Sequence, residues 1–444
     1  MDIKQREDRR LRPRRRGWLA LMPLILLAVL MAMLGTIMGD FSKVPMTIVF
    51  LLTSIASLFT LRGYKIEERV RCFSHGAGSP DLLLMVWIFV LAGAFASSAK
   101  AMGAVSATVD LTMICLPDSA LLAGLFLASC IVSICIGTSV GTIVALVPMA
   151  SELASRSGIV LPLMVAAVVG GSFFGDNLSF ISDTTVAATK TQNCSMRDKF
   201  RTNFRIVLPA ALICFIIYVL LGQGAQSQIV FSANGEIHWV RVLPYVAVLA
   251  SALCGVNVLI VLCLGTLLTG IVGVADGACT LSGWITSMAE GVTGMGDLIL
   301  ISMIAGGLLA VVRKGGGVTY LVRALTRRVH SRRGAECCIS ALVALTNCCT
   351  ANNTVAILSV GSITKDISER FGVDKRRAAS LLDIFSCVTQ GIIPYGAQLL
   401  MASGLAAISP LDITPYLYYP LLLAVCAIIS ILISRKNTPI NKLA

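Results

Sequence analysis

Two aspartates and several hydroxyl side chains lie together in residues 175–185, which read GDNLSFISDTT and follow an apolar stretch. On a continuous helix Asp176 and Asp183 would share a face but lie about 10 Å apart along the axis, too far to share one bare ion. Glycines just before the motif weaken the helix, and an unwound turn there could bring carboxylates, hydroxyls and backbone carbonyls together. Such hard oxygen ligands suit Na⁺ or another hard cation. The candidate cation- and proton-binding residues are Asp176, Asn177, Ser179, Ser182, Asp183 and Thr184.

Polar residues also interrupt apolar sequence at two predicted hairpin tips and in residues 390–398, which read QGIIPYGAQ. The latter stretch offers amide and carbonyl oxygens but no ionisable group, and its proline frees a helical carbonyl. Asp383, one or two turns earlier, is a second candidate ionisable group, with a carboxylate at the cytoplasmic interface as the equal alternative. The candidate residues are Thr138, Ser139, Thr142, Thr350, Asn352, Asn353 and Thr354 at the tips, and Asp383, Gln390, Pro394 and Gln398 in the second broken helix.

The composition places these residues inside a membrane. Of the 444 residues, 56% are hydrophobic and only 13% are charged, whereas a soluble domain has about 25% charged residues. A soluble enzyme, a fibre and a disordered protein are therefore excluded, and the sequence predicts an all-α polytopic membrane protein. Ionisable groups at membrane depth are costly, so they survive mainly where they face a cavity or a partner.

Apolar runs of about 20 residues, enough to cross a bilayer, predict ten crossings. Two further segments, 119–154 and 335–367, read as pairs of short helices around a polar tip and are predicted to be re-entrant hairpins. Backbone at such tips is tolerated only against protein or a water-filled cavity. The predicted crossings are 18–38, 44–62, 81–98, 160–190, 205–223, 241–255, 257–275, 297–312, 378–405 and 413–434, of which 160–190 and 378–405 are interrupted.

The net charge of +13 is an orientation signal. With the N-terminus inside, 32 of the 36 lysines and arginines fall in inside segments, and only Lys43, Lys100, Arg156 and Arg241 fall outside. Basic residues are enriched in cytoplasmic loops, so both termini are expected in the cytoplasm. No binding of nucleic acid by the arginine-rich start is expected.

The chain repeats itself at a spacing near 214 residues. Gly93 and Lys100 match Gly307 and Lys314, and later matches keep the same order. Because each half would have five crossings, an odd number, the halves are predicted to be inverted relative to each other, an architecture of secondary transporters. The predicted units are a basic tail at 1–17, a first repeat at 18–223, an extracytoplasmic linker at 224–240, a second repeat at 241–434 and a tail at 435–444, each repeat having one re-entrant hairpin and one broken helix.

These motifs resemble the NhaC-type Na⁺/H⁺ antiporter family, within the ion-transporter superfamily. The resemblance covers about residues 18–434 and is most specific at the GDNLS and ISDTT segments of residues 175–185 and at the hairpins with Asn-Thr tips. It implies cation ligation by Asp176 and Asp183. Members of the family also exchange organic anions or carry amino acids with Na⁺.

We therefore expect a secondary antiporter of the bacterial cytoplasmic membrane that exchanges Na⁺ for H⁺ without a cofactor. Burial favours the protonated form of a carboxylate and a bound cation favours the ionised form, so the two ions would compete for Asp176 and Asp183. The alternative is a Na⁺-coupled carrier or exchanger of a small organic solute such as malate, lactate or an amino acid, suggested by Asn352, Asn353 and Gln398. A channel stays open as a further alternative, as does a homodimer. An enzyme is not expected, because neither a nucleophile nor a metal set lies within the bilayer, and the sequence has no phosphate loop.

Overall fold

The structure is a computed structural model that describes residues 17–39, 44–61, 63–115, 117–180, 182–222, 238–254, 256–327 and 329–433. Over these residues the regular structure is entirely helical. The predicted C-terminal tail, nearly all of the N-terminal tail and most of the predicted linker lie outside the described residues.

The described residues of the first half form ten α-helices. The sixth and seventh helices form its predicted hairpin, and the eighth and ninth form its interrupted crossing. The ten helices are α1 (Met22–Met38), α2 (Met46–Leu58), α3 (Ile66–Ala77), α4 (Pro80–Ala101), α5 (Ala104–Cys115), α6 (Leu121–Ile136), α7 (Ser139–Ser157), α8 (Leu161–Leu178), α9 (Asp183–Gln192) and α10 (Met196–Gly222).

The second half repeats this order, except that its last helix is divided. The two parts, joined by a short 3₁₀ turn, are bent by 51°. The helices are α11 (Trp239–Leu253), α12 (Val258–Ala275), α13 (Leu281–Gly294), α14 (Gly296–Lys314), α15 (Gly317–Thr326), α16 (Arg332–Thr350), α17 (Asn353–Phe371), α18 (Lys375–Ile392), α19 (Ala397–Ala406), α20 (Pro410–Ile413) and α21 (Tyr418–Ile433).

Within the described ranges, seven helical stretches are long and apolar enough to cross a membrane, or eight if the bent C-terminal pair is one span. The two other predicted crossings, 44–62 and 241–255, correspond to apolar helices of 13 and 15 residues. Such helices are shorter than the roughly 20 residues that a perpendicular span needs. The chain is thus an all-helical, multi-pass membrane protein, and five crossings in each half stay a prediction.

Two helices that the sequence did not predict join the halves. The segment 62–71 was expected to be an inside loop, but α3 occupies most of it and packs against α14, while α13 packs against α4. Glycines allow both close approaches: a Cβ at Gly76 would lie 2.5 Å from the carbonyl oxygen of Gly306, and one at Gly291 would lie 2.1 Å from that of Gly93. These two crossings are related by the spacing near 214, so each half packs against the other in the same way.

The predicted hairpins are present as helix pairs, α6–α7 and α16–α17. Each first helix ends at a left-handed residue, Gly137 or Ala351. Each hairpin is also bonded to the following helix at equivalent positions. Ser133 Oγ donates to the carbonyl of Ser172 at 2.6 Å. The amide of Asn347, 214 residues later, donates to the carbonyl of Ser386 at 2.8 Å. The halves therefore share their local contacts, whereas their inversion and the re-entrant path of the hairpins stay predictions.

The α8 helix is at the centre of the packing. All of its residues from Leu163 to Leu178 are buried, and it contacts α6 and α7 most extensively. A helix that is apolar all round is a buried helix. Its last turn carries Asp176, and the helix therefore places a carboxylate deep inside the protein.

Candidate functional site

Asp176 is buried and surrounded by hydroxyl groups. Its side chain is only 4% exposed, and Ser182 donates to its Oδ1. Thr184 donates to the same oxygen at 3.4 Å, and Ser139 donates to Oδ2 at 3.2 Å. A carboxylate that accepts several hydrogen bonds is stabilised in its ionised form, and a carboxylate among hydroxyl oxygens is also a ligand set for a hard cation.

The break between α8 and α9 creates this arrangement. Ser179 and Ser182 have extended backbone conformations, with ψ of 140° and 137°. The chain therefore leaves the helix after Leu178 and returns Ser182 and Thr184 to the carboxylate six and eight residues back. The predicted unwinding thus brings hydroxyls to Asp176, and Ser179 and Asn177 are buried beside it in sequence.

The break does not bury the second carboxylate of the motif. Asp183 is the first residue of α9, and its side chain is exposed, in contrast to Asp176. An acidic residue in the first turn interacts favourably with the helix dipole. The two aspartates are therefore in different environments.

A chain of hydrogen bonds connects Asp176 to the second half. Ser139, at the first hairpin tip, accepts from the amide of Gln398 at 3.0 Å, and the oxygen of Gln398 accepts from Gln390 at 3.0 Å. Gln390 also donates to the carbonyl of Ala351 at the second tip, again at 3.0 Å. These hydrogen bonds thus join both hairpin tips and both broken helices.

Most of the other predicted tip residues stabilise their own turns. Asn352 caps α17 by accepting from the backbone N–H of Val355 at 3.0 Å. Thr350 donates to the carbonyl of Asn352 at 3.1 Å, and Thr142 donates to the carbonyl of Thr138 at 3.2 Å.

The remaining predicted residues of the second half lie next to this network. Asn353 accepts from the backbone N–H of Thr354 at 3.1 Å. Pro394 lies in the break between α18 and α19. The neighbouring Tyr395 donates to the carbonyl of Cys348 at 2.8 Å and so fixes that break to α16.

A buried ion pair adjoins the Asp176 site. Lys199 and Asp383 are 2.7 Å apart, and their side chains are 1% and 0% exposed. Asn203 donates to the same Asp383 oxygen at 2.8 Å and to the carbonyl of Asn177 at 2.9 Å. Asp383 is therefore buried inside the protein and paired with a lysine.

Lys199 and Asn203 were not predicted as site residues, because Lys199 is one of five basic residues in a segment that was predicted to lie inside. A signal was present in their spacing. The other basic residues at the start of α10, at positions 197, 201 and 205, recur every four residues and are all exposed. Lys199 and Asn203, also four residues apart, lie on a different side of the helix and are buried.

Several buried oxygens at the site accept no hydrogen bond from the described part of the chain. They are Asn177 Oδ1, Asn203 Oδ1, Asp383 Oδ1 and Gln390 Oε1. Buried polar atoms usually have a partner, so these oxygens are free to accept from water or to ligate a cation.

A cavity of about 380 Å³ lies between α4, α7, α13 and α19. Its lining includes Lys100, Ser151 and Glu152, and Glu152 accepts from Arg156 at 2.8 Å. Glu152 lies thirteen residues after Ser139 on α7, which is about 20 Å along the helix. The part of the cavity lined by Glu152 is therefore distant from Ser139 along α7.

The chain is similar in sequence to known transport proteins. The model of the Na⁺/H⁺ antiporter family matches residues 17–223 and 229–434. The Malate-2H(+)/Na(+)-lactate antiporter of Bacillus subtilis is 22% identical over 398 residues, covering 82% of this chain and 84% of that protein. The Na(+)/H(+) antiporter NhaC of the same organism is 24% identical over 429 residues, covering 88% and 91%.

The crystal structure of the YdaH transporter of Alcanivorax borkumensis is also similar, at 13% identity and a TM-score of 0.42, covering 87% of this chain and 97% of that one. The family model spans nearly all of the described residues, including both broken helices and both hairpins. The resemblance read from the sequence is thus confirmed, and the chain belongs to the Na⁺/H⁺ antiporter family.

Proposed function

We propose that the chain is a secondary antiporter that exchanges Na⁺ for H⁺, with Asp176 as the group that both ions share. The observation that carries the proposal is the buried carboxylate of Asp176, bonded to hydroxyls of Ser139, Ser182 and Thr184 at the break of a helix. Family membership supports a transporter rather than an enzyme.

Competition at one carboxylate couples the two ions. A dry environment favours neutral Asp176 with its proton, whereas a bound Na⁺ favours the ionised form. The hydroxyls of Ser182 and Thr184 can turn their oxygen lone pairs to the cation when it is present. Loading of Na⁺ therefore releases the proton, and no separate coupling device is needed.

Asp183 stays a candidate site residue, but its side chain is exposed whereas that of Asp176 is buried. Its exposed carboxylate at the start of α9 would attract cations towards the break, in agreement with a role in ion entry rather than in the inner ligand shell. We place the protein in the bacterial cytoplasmic membrane with both termini in the cytoplasm, because 32 of its 36 lysines and arginines fall on that side of the predicted topology.

The second candidate function is Na⁺-coupled transport or exchange of a small organic solute. Gln390 and Gln398 provide amides at the junction of the two halves, and the Oε1 atom of Gln390 has no donor in the described part of the chain. One relative is named a malate-2H(+)/Na(+)-lactate antiporter.

Proton movement in reconstituted vesicles tests the proposal. A pH-sensitive dye is followed while Na⁺, Li⁺, K⁺ and then malate, lactate or amino acids are added. We expect Na⁺ alone to drive proton efflux, Asp176→Asn to abolish it, and Asp183→Asn to reduce it. Asp366→Asn, which removes an exposed carboxylate from α17, is the matched control and should transport normally.

Two outcomes would contradict the proposal. Full Na⁺-driven proton movement in a folded Asp176→Asn protein would show that Asp176 is not the group that Na⁺ and H⁺ share. A response that begins only when an organic solute is present would make Na⁺ a co-substrate and the second candidate correct.

A further inference from the structure

The ion pair of Lys199 and Asp383 is bonded to the same break that carries Asp176. Besides Asp383, the ammonium of Lys199 donates to the carbonyl of Asn177 at 2.9 Å and to the hydroxyl of Thr185 at 2.6 Å. Asn177 follows Asp176 at the end of α8, and Thr185 follows Thr184 on α9. Lys199 therefore bonds to the end of α8 and to α9 and so connects the two helices that flank the break. Asp176, at the end of α8, also connects them through its bonds to Ser182 and Thr184.

All three donors of the Lys199 ammonium have an acceptor. The acceptors are a carboxylate, a backbone carbonyl and a hydroxyl, all buried. A neutral amine has only two N–H groups, so release of the proton would break one of these bonds and leave Asp383 buried as an unpaired anion, which is strongly unfavourable. The geometry thus favours a lysine that stays charged.

The buried charges at the site are few enough to count. Among the described residues, the buried charged side chains are Asp176, Lys199, Glu336 and Asp383. Glu336 belongs to a separate cluster, with Arg332 and Arg377 at the start of α16 and α18. The site therefore contains two carboxylates and one ammonium, which gives it one net negative charge when Asp176 is ionised.

Resting on the proposed function, we propose that Lys199 is a fixed positive charge that sets the stoichiometry of exchange. With Asp383 neutralised by Lys199, one Na⁺ or one H⁺ at Asp176 brings the site to zero charge. The two loaded forms then carry the same charge as they cross the membrane. Exchange is one Na⁺ for one H⁺, it moves no net charge, and it responds to ion gradients but not to membrane potential.

The response to voltage tests this directly. In vesicles with a K⁺ gradient and valinomycin, Na⁺-driven proton movement is measured at zero potential and at about 100 mV of either sign. We expect the rate and the final pH gradient to be the same at all three potentials. If each cycle moved one net charge, the final ion ratio would change about 50-fold per 100 mV.

Charge-matched variants test the role of Lys199. Lys199→Met leaves two unbalanced carboxylates, and Asp383→Asn leaves a site that becomes positive when Na⁺ binds, so each should lose at least about tenfold in rate. The double variant restores one net negative charge and should recover much of that loss, still without a response to voltage. A purely structural pair would also recover in the double variant, because neither charge is then left buried without a partner. The absence of a voltage response in the double variant, and not the recovered rate alone, is therefore the readout that tests the charge of Lys199. Size-exclusion profiles and thermal unfolding establish that each variant is folded.

The outcomes separate this inference from the proposed function. Proton movement that Na⁺ cannot drive in the wild-type protein would reject the antiporter itself. Na⁺-driven movement whose final pH gradient shifts with voltage would reject only the fixed-charge stoichiometry, as would a folded double variant no more active than either single variant.

Discussion

At the scale of the residue, the hydroxyls that bond to Asp176 come from the far side of a helix break and from a hairpin tip. Ser182 and Thr184 are near Asp176 in sequence, whereas Ser139 lies 37 residues earlier. Ser139 is also the residue that accepts from Gln398 of the second half. The hydroxyl of Ser139 therefore bonds both to the Asp176 carboxylate and to the second broken helix.

Ser139→Ala is expected to weaken Na⁺ binding. The variant removes a buried hydroxyl that contacts a charged group, and such a bond contributes about 1.5 kcal/mol or more, roughly a tenfold change in affinity. The Na⁺ concentration for half-maximal proton movement should therefore rise about tenfold, with less effect on the rate at saturating Na⁺. This is measured by Na⁺ titration of dye-reported proton efflux.

The matched control is Ser129→Ala, which removes a buried hydroxyl bonded only within its own helix, to the carbonyl of Leu125 at 2.8 Å. It should keep the wild-type Na⁺ dependence to within about twofold, since the Ser129 hydroxyl bonds to the carbonyl of Leu125 and not to Asp176. Equal Na⁺ dependence in Ser139→Ala and the wild type would show that the hydroxyl is not part of the cation shell.

The residue scale also shows what the sequence could predict. Asp176, Ser182 and Thr184 are within nine positions, so local spacing and the helix-weakening glycines were enough to place them together. Lys199 and Asp383 are 184 positions apart, and no local pattern predicts that α10 and α18 bring them to 2.7 Å. Asp183 was expected to ligate the ion on the same local grounds as Asp176, yet the return of the chain at Ser182 buries one carboxylate and leaves the other exposed.

At the scale of the element, small residues set how closely α8 approaches the first hairpin. A Cβ at Gly175 would lie 2.3 Å from the Cβ of Ser133 and 2.5 Å from the backbone nitrogen of Ile134. Helices in membranes use small residues at such crossings because close packing is a main source of their association. The position of Asp176 therefore depends on the absence of a side chain at the residue before it.

Gly175→Ala should separate α8 from α6 and displace Asp176. The added methyl group meets backbone, which cannot move aside as a flexible side chain would, so we expect a loss of about 1–3 kcal/mol in stability together with most of the transport. Thermal unfolding in detergent and Na⁺-driven proton movement measure the two effects. Gly296→Ala, where a Cβ would meet nothing within 4 Å, is the control and should change neither. An unaltered Gly175→Ala protein would mean that the crossing is looser than described.

The helices were predicted well where hydrophobic runs are long, and less well where charged residues interrupt those runs. The breaks in 160–190 and 378–405 and the two hairpins are present as expected. The α3 helix was missed because its basic and acidic residues resemble those of a cytoplasmic loop, although the helix has an apolar partner in α14. Charged residues indicate which side of a helix faces water, but they do not indicate which helix packs against its other side.

At the scale of the whole molecule, the two halves are built from the same contacts. The α3–α14 and α13–α4 crossings are equivalent, as are the bonds from Ser133 to Ser172 and from Asn347 to Ser386. The halves differ where the ions would bind. Asp176 in the first half corresponds to Gln390 in the second, 214 residues later. Equivalent contacts thus frame the site in both halves, and the difference at this pair of positions gives the proposed shared carboxylate to the first half.

The orientation of the whole protein in the membrane is a further prediction. Because lysine and arginine are retained on the cytoplasmic side, the C-terminus should be inside and the linker at 224–240 outside. Green fluorescent protein fused after residue 444 should fluoresce in a bacterial host, and alkaline phosphatase fused after residue 230 should be active. Exchanging the two reporters gives the control, in which both should be silent. Active phosphatase at the C-terminus would mean that the orientation is the reverse of the predicted one. Lys100, which lines the cavity, would then be expected on the cytoplasmic side and not outside.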